Sequence, residues 1–223
     1  MPLLLLQVCW ARINILKLPE ALGKRSGQYG EGVKLKLLII GDSAAAGVGV
    51  NEQKDGLAGQ LTANLAAKYK VEWSLIANTG FTSTDLIKEL TALTEQTFDY
   101  VLVSVGVNDV THLTRANHWS NNIRTIAKLL DTKFGTPKVL LTSVPPIQRF
   151  TAIPSPLRWL LGLRAKRLNE LLINASKGKK HYSLLTFNFP FEAEFLAKDG
   201  IHPSKLAYSV WANQAAAKID ELY

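Results

Sequence analysis

The chain has 223 residues with a single cysteine, and its formal net charge is +8 at pH 7. This length supports one domain with a sizeable apolar core, so neither a metal nor a disulfide is needed to hold the fold, and Cys9 cannot form an internal bridge. The positive charge is spread over small clusters instead of a dense basic run interleaved with aromatic residues, so we expect no nucleic-acid partner.

The first 18 residues are mostly apolar but have neither the basic start of a signal peptide nor the ~20 residues of a membrane span. Arg12, Asn14 and Lys17 alternate with aliphatic residues, which favours an amphipathic helix on the protein or on a bilayer surface. The glycines between residues 23 and 32 predict a flexible connection. We therefore divide the chain into an extension and linker over residues 1–33 and a main domain over 34–223. A cytoplasmic or membrane-peripheral location is favoured.

Apolar strand patterns alternate with helical patterns along the rest of the chain. In order, the periodicity predicts strand 37–40, helix 56–69, strand 71–77, helix 86–93, strand 100–105, helix 117–130, strand 138–144, helix 157–172, strand 182–187 and helix 204–222. Strands separated by helices pair in parallel through right-handed crossovers. The pattern therefore predicts an α/β fold, a three-layer α/β/α sandwich around a parallel sheet of about five strands, with ligands at the carboxyl ends of the strands.

Ser43 lies in the motif Gly41-Asp42-Ser43, directly after the first of these strands. The three alanines that follow favour a helix beginning at this turn, which would leave the serine hydroxyl and N–H at the edge of the sheet. On this stretch alone two other interpretations stay open: a simple helix cap, or a phosphate-binding loop that uses the glycines of the turn. Neither the P-loop nor the dinucleotide fingerprint is complete.

Residues suited to acyl transfer follow the other strands at the same edge. Gly80 follows the second strand, Asn108 the third, and Asp199 with His202 the fifth. An imidazole can remove the serine proton near neutral pH, and a carboxylate can fix the tautomer of that imidazole. The N–H groups of Ser43 and Gly80 and the side-chain amide of Asn108 can stabilise an oxyanion.

The order of these motifs resembles the SGNH, or GDSL, hydrolase family, which includes esterases, lysophospholipases, thioesterases and carbohydrate deacetylases. The motifs are Gly41-Asp42-Ser43, Gly80, Gly106-x-Asn108-Asp109 and Asp199-x-x-His202-Pro203. The resemblance covers residues 34–223, although Ala44 stands where the family name has leucine. It implies a flavodoxin-like serine hydrolase domain without a cofactor. The implied roles are nucleophile for Ser43, general base and acid for His202, orienting carboxylate for Asp199, and oxyanion hole for Ser43, Gly80 and Asn108.

A second Asp-x-x-His pair, Asp109 with His112, is a rival for the catalytic base. It shares a loop with Asn108, so His112 would not face the oxyanion donors. We therefore expect His202 to be the base, Asp109 to brace the loop, and His112 to line the cleft or lie exposed. The histidines and the single cysteine show no ligand spacing, so we expect no metal site.

The proline-rich loop after the fourth strand is the strongest candidate for a substrate wall. Pro146, Ile147 and Phe150 are the expected substrate contacts, and packing beneath the loop is the alternative. We expect hydrolysis of carboxylic esters with short to medium acyl chains. A lysophospholipase or acyl-thioesterase would use the same chemistry on longer chains, and a non-catalytic anion- or nucleotide-binding module is the alternative of another class. The expected partners are a small-molecule ester or lipid, with weak membrane contact through residues 1–18; the oligomeric state is not predicted.

Overall fold

The computed structural model describes residues 2–187 and 192–222. The strands are β1 (Ser26–Tyr29), β2 (Val33–Gly41), β3 (Tyr69–Ala77), β4 (Tyr100–Ser104), β5 (Lys138–Thr142) and β6 (Tyr182–Leu185). The helices are α1 (Pro2–Asn14), α2 (Leu57–Leu65), α3 (Ser83–Ala92), α4 (Val107–Thr111), α5 (Ala116–Lys133), α6 (Leu157–Ser176) and α7 (Lys205–Leu222).

Within the described residues, the sheet has six strands in the order β1-β3-β2-β4-β5-β6. The predicted parallel strands are β2 to β6, with β2 and β4 at the centre. The prediction of about five strands missed β1, which pairs antiparallel with β3 inside the segment interpreted as a flexible connection. An edge strand is held by backbone hydrogen bonds on one side only, and the sequence Ser-Gly-Gln-Tyr has no apolar alternation that could reveal it.

Two apolar cores cover the two faces of the sheet and form the expected three layers. Leu38 and Ile40 of β2 point toward α3, α5 and α6, whereas Leu37 and Ile39 point toward α2 and α7. All four side chains are fully buried, which explains why their sequence is an unbroken apolar run instead of an alternation.

The turn after Ser43 differs from its prediction. No helix begins at the three alanines; residues 42–49 form successive turns, and α2 begins only at Leu57. The physical reason is close packing around two glycines with positive φ, Gly47 at 84° and Gly49 at 109°. A Cβ on Gly47 would lie 2.7 Å from the Cβ of Ala21, and a Cβ on Gly49 would clash with the carbonyl oxygen of Pro203.

The helix expected in the first 18 residues is α1; one side of it packs on the body of the protein, and its outer side carries exposed apolar residues instead of the polar face of an amphipathic helix. Leu4, Val8 and Ile15 contact the core on the α6 side of the sheet. The Gln7 side chain donates a hydrogen bond to the carbonyl of Ser155 and accepts one from the N–H of Leu157, at the start of α6.

Candidate active site

Ser43, His202 and Asp199 form a continuous hydrogen-bonded chain at the carboxyl edge of the sheet. Ser43 Oγ lies 2.8 Å from His202 Nε2, and His202 Nδ1 lies 2.5 Å from Asp199 Oδ2. Because the carboxylate can only accept, we assign the Nδ1 proton to the bond with Asp199, which leaves Nε2 to accept the proton of the serine hydroxyl. The chain can therefore move a proton from oxygen to imidazole.

Asp199 is held as a carboxylate in a buried position. Its Oδ1 accepts the backbone N–H groups of Ile201 and His202, each at 3.0 Å. Burial raises the pKa of Asp199, but the hydrogen bonds from the His202 ring and from these N–H groups outweigh it, and the net pKa is lowered. An ionised Asp199 fixes the orientation and the tautomer of the imidazole.

The loop that carries Asp199 and His202 is built to face Ser43. Gly200 has a φ of 67°, a left-handed conformation that turns the chain between the two residues. The carbonyl of His202 accepts the N–H of Ala197, and the carbonyl of Pro203 packs tightly on Gly49 in the turn after Ser43. The close approach of these two backbones sets the distance between serine and imidazole.

Gly80 and Asn108 follow β3 and β4, the strands on the two sides of β2. Gly41 at the end of β2 is in register with Ala77 of β3 on one side and with Ser104 of β4 on the other. Ser43, Gly80 and Asn108 lie a few residues beyond these three positions. Asn108 Nδ2 donates to the carbonyl of Phe81 at 2.9 Å, which ties the loops after β3 and β4 together.

The carboxylate of Asp109 hydrogen-bonds to Ser83 and not to His112. Its carboxylate accepts the backbone N–H of Ser83 at 2.8 Å and the Ser83 hydroxyl at 2.7 Å, and Asn122 donates to the same hydroxyl at 2.8 Å. Burial raises the pKa of Asp109 despite these bonds. His112, its partner in the motif, is exposed. Asp109 therefore braces α4 against the start of α3, and it directly follows Asn108, whose side-chain amide is a predicted oxyanion donor.

Residues 20–25, which precede β1, brace the same loops, and sequence reasoning missed them. Glu20 Oε1 accepts the backbone N–H of Thr79 at 2.6 Å and its hydroxyl at 2.8 Å, directly before Gly80. Arg25 pairs with Glu20 and donates to the carbonyl of Ala77. The contacts with Thr79 and Ala77 join positions more than fifty residues apart, and no local motif marks them.

Asp42 is a second buried carboxylate next to the serine. Burial raises the pKa of Asp42 to about 6, although its carboxylate accepts the N–H of Ala44 at 3.1 Å and lies near His202. The hydroxyl of Tyr208 lies 2.7 Å from the carbonyl oxygen of Val48 and 2.9 Å from that of Ala44. Together these groups hold the turn that presents Ser43.

A mostly apolar cavity of about 50 Å³ opens beside Ser43 and His202. Its apolar walls are Val105, Val107, Val144, Pro145, Phe150, Phe187, Phe195, Leu196 and Ile201. A cavity of this character, with a few polar groups at one end, suits the apolar part of a small molecule.

The structure places one of the three predicted substrate contacts on the cavity. Phe150 lines the cavity, whereas Pro146 lies outside its lining and Ile147 is fully buried in the core. A single helical turn at residues 147–149 directs Ile147 under the loop, so the alternative of packing beneath the loop holds for this residue. Phe195 and Leu196 were missed, although they lie only four and three residues before Asp199 in the sequence.

Within residues 2–187 and 192–222, no group of three or more histidine, cysteine or acidic side chains is arranged to hold a metal ion. In the same part of the chain, no helix has the length and hydropathy to cross a bilayer.

Known proteins resemble this chain in sequence pattern and in fold. A model of the GDSL-like lipase/acylhydrolase family matches residues 39–210. The psychrotrophic esterase EstA from Pseudoalteromonas sp. aligns over 84% of this chain and 97% of its own, with 18% identity and a TM-score of 0.65. TesA aligns over 84% and 99% with 21% identity and a TM-score of 0.70. The lipase/acylhydrolase from Enterococcus faecalis aligns over 83% and 95% with 20% identity and a TM-score of 0.63. No curated protein sequence matches the chain.

Proposed function

Because the chain belongs to the GDSL-like lipase/acylhydrolase family and is therefore a carboxylic ester hydrolase, we propose that it works through an acyl-enzyme intermediate on Ser43. We further propose that its substrates are carboxylic esters of short to medium acyl chains. The observation that carries the proposal is the hydrogen-bonded chain Ser43–His202–Asp199 at one end of an apolar cavity.

The acylation step begins with proton transfer from Ser43 Oγ to His202 Nε2 as the oxygen attacks the ester carbonyl carbon. Asp199 stays ionised and stabilises the imidazolium that forms. His202 then gives its proton to the departing alcohol oxygen as the carbon–oxygen bond of the ester breaks. The products of this half-reaction are the free alcohol and the acyl group on Ser43.

The negative charge of the tetrahedral intermediate needs fixed donors. The proposed donors are the N–H groups of Ser43 and Gly80 and the side-chain amide of Asn108. An amide nitrogen carries two hydrogens, and the bond from Asn108 to Phe81 uses one of them, so the other can serve the oxyanion. The braces through Asp109 and Glu20 hold these loops before substrate arrives, and donors fixed in advance need no reorganisation during the reaction.

Deacylation repeats the same steps with water. His202 takes a proton from a water molecule that attacks the acyl carbonyl, and the proton returns to Ser43 Oγ as the acid leaves. The catalytic side chains are unchanged after both half-reactions, and the step needs no cofactor.

The apolar walls of the cavity favour an acyl group as the part of the substrate that enters. Phe150, Phe195 and Leu196 can contact a hydrocarbon chain, and each buried methylene contributes about 0.8 kcal/mol. Lysophospholipids or acyl thioesters with longer chains are the second candidate class. The specific observation in their favour is the exposed apolar surface of α1 and α6, which lies beside the loop that contributes Phe150.

The test is hydrolysis of p-nitrophenyl esters from acetyl to palmitoyl by the wild type, Ser43→Ala and the matched control Ser143→Ala. Ser143 is also a serine on the cavity lining, at the end of β5. We expect Ser43→Ala to abolish hydrolysis and Ser143→Ala to retain it, and the optimum of the series gives the acyl length. Full activity of Ser43→Ala would overturn the mechanism. A wild type that hydrolyses none of these esters but binds a nucleotide saturably would favour the non-catalytic alternative.

A further inference from the structure

The outer face of α1 is apolar, although it points away from the protein. Leu4, Val8 and Ile15 form the face that packs on the core. The opposite face carries exposed Leu3, Leu5, Leu6, Trp10 and Ile13, with exposed fractions of 67% at Leu6 and 81% at Ile13. This helix is therefore apolar on both sides, whereas a helix on the surface of a globular protein normally has polar residues on its outer side.

A second group of exposed apolar side chains lies at the start of α6. Trp159, Leu160 and Leu163 occupy the solvent side of this helix, with Leu163 64% exposed. Gln7 joins α1 to the first residue of α6 through its hydrogen bonds to Ser155 and Leu157. We call the outer face of α1 together with Trp159, Leu160 and Leu163 the apolar docking face. Contiguous apolar surfaces of this kind mark interaction sites.

The charged residues within the two segments that supply the apolar docking face all have one sign. Arg12 and Lys17 lie on or just after α1, and exposed Lys166 follows Leu163 on α6. Residues 2–19 and 157–169, which supply the face, contain no aspartate or glutamate. The first carboxylates after these segments, Glu20 and Glu170, are paired with Arg25 and Arg167. The segments that form the apolar docking face therefore carry a net positive charge.

We propose that the apolar docking face binds the surface of an anionic lipid bilayer. Basic side chains beside an apolar helix face are attracted to acidic headgroups, while leucine, isoleucine and tryptophan side chains enter the boundary between headgroups and acyl chains. A second copy of the chain fits less well, because its own basic residues would be brought against those of the first copy. At 13 residues, α1 is too short to span a bilayer and lies in the plane of the interface.

The loop that lines part of the cavity also adjoins the apolar docking face, through the hydrogen bonds of Gln7 to Ser155 and Leu157. Val144, Pro145 and Phe150 line the cavity, and the loop that carries them continues into α6 at Leu157. A protein held by this face would therefore meet acyl esters at the membrane surface. This consequence rests on the proposed function, whereas lipid binding itself does not.

The experiment is sedimentation of the full chain with vesicles of phosphatidylcholine alone or of phosphatidylcholine with one third phosphatidylglycerol. We expect strong binding to the anionic vesicles, weak binding to the neutral ones, and release from the anionic vesicles as salt is added. The double variant Arg12→Gln/Lys17→Gln should bind anionic vesicles about tenfold less tightly, since each basic residue near such a surface adds to the electrostatic attraction between protein and headgroups. Catalytic activity is not needed for this readout.

The apolar contribution is tested with Leu6→Glu/Ile13→Glu. Both side chains are exposed, so the variant should fold normally, and it should lose binding to both kinds of vesicle. The matched control is Tyr29→Glu/Val33→Glu, which adds the same charge at exposed apolar positions of β1 and β2. The control should bind nearly as well as the wild type.

Tryptophan fluorescence locates the contact. Trp10 and Trp159 are exposed, whereas Trp119 and Trp211 are buried. Anionic vesicles should therefore shift the emission of the wild type to the blue, and Trp10→Phe/Trp159→Phe should lose most of that shift. Wild-type protein that stays in solution with anionic vesicles overturns the proposal. So does equal binding by Leu6→Glu/Ile13→Glu, or a concentration-dependent dimer that this variant abolishes without any vesicle binding.

Discussion

The chain contains two Asp-x-x-His pairs with the same spacing and different environments. Asp199 Oδ2 is hydrogen-bonded to the ring of His202, and the other nitrogen of that ring is hydrogen-bonded to the hydroxyl of Ser43. The carboxylate of Asp109 meets Ser83 instead, and His112 is exposed to solvent. Two pairs with identical spacing therefore differ in structure: Asp199 and His202 form a hydrogen-bonded chain with Ser43, whereas Asp109 holds two helices together.

The backbone between the two residues of each pair explains the difference. Asp109 lies in α4, and the helix directs it into the core while His112, at the helix end, faces outward. Asp199 precedes Gly200, whose left-handed conformation turns the chain so that one carboxylate oxygen meets the backbone and the other the imidazole. The pKa values shift in opposite directions: hydrogen bonds lower that of Asp199, and burial raises that of Asp109.

The largest expected contrast is between the two histidines. His202→Ala removes the proposed base and should lower turnover of a p-nitrophenyl ester by ~10⁴-fold or more, because both half-reactions pass through its imidazole. His112→Ala removes an exposed ring and should leave turnover within about twofold. Steady-state kinetics of the two variants measure the contrast. A comparable loss of turnover in both variants would contradict the assignment of His202 as the base.

Replacing Asp199 should mainly lower activity, and replacing Asp109 should mainly lower stability. Asp199→Ala should lower turnover by ~10³-fold, because the imidazole loses the acceptor that fixes its tautomer. Asp109→Ala should lower the free energy of unfolding by about 2 kcal/mol, because it leaves the buried N–H and hydroxyl of Ser83 without their acceptor. Its turnover should fall much less than that of Asp199→Ala. Kinetics and urea unfolding of both variants test this, and the opposite ranking in either assay would contradict the assignment of site and brace.

The smallest contrast is in how stability depends on pH. Asp199, whose pKa lies below the ordinary 3.8, stabilises the fold above that pH, and this contribution is lost as pH falls through the lowered pKa. Asp109, whose pKa lies above 3.8, contributes stability below that pH and loses it as pH rises through the raised pKa. A pKa difference of one corresponds to about 1.4 kcal/mol.

Asparagine variants make these opposite slopes measurable by urea unfolding at about pH 3, 5 and 7. Relative to the wild type, Asp199→Asn should become less stable as pH rises, because it lacks the stabilising charge. The stability of Asp109→Asn relative to the wild type should increase over the same rise in pH, because the variant carries no buried charge. Parallel pH profiles for the two variants would show that the two carboxylates do not differ as described.

Most of the sheet could be predicted because its signal is local. The unbroken apolar run at residues 37–40 and the helical spacing of the later segments follow directly from burial on both faces of a central sheet. The same logic failed at the three alanines after Ser43, because the tight packing of Gly47 and Gly49 overrides the helix propensity of alanine. It also missed β1, whose residues join the sheet through backbone pairing.

The sequence by itself determined that a serine, a glycine, an asparagine and an Asp-x-x-His pair follow successive strands, and strand ends of a parallel sheet meet at one edge. Only the tertiary structure decided that His202 faces Ser43, that Glu20 holds the residue before Gly80, and that Ile147 is buried while Phe195 lines the cavity. Hydrophobic period and strand order are properties of neighbouring residues, so a sequence pattern can contain them. The direction of a side chain toward a residue 50 or 150 positions away depends on how whole segments pack, and no local pattern records it.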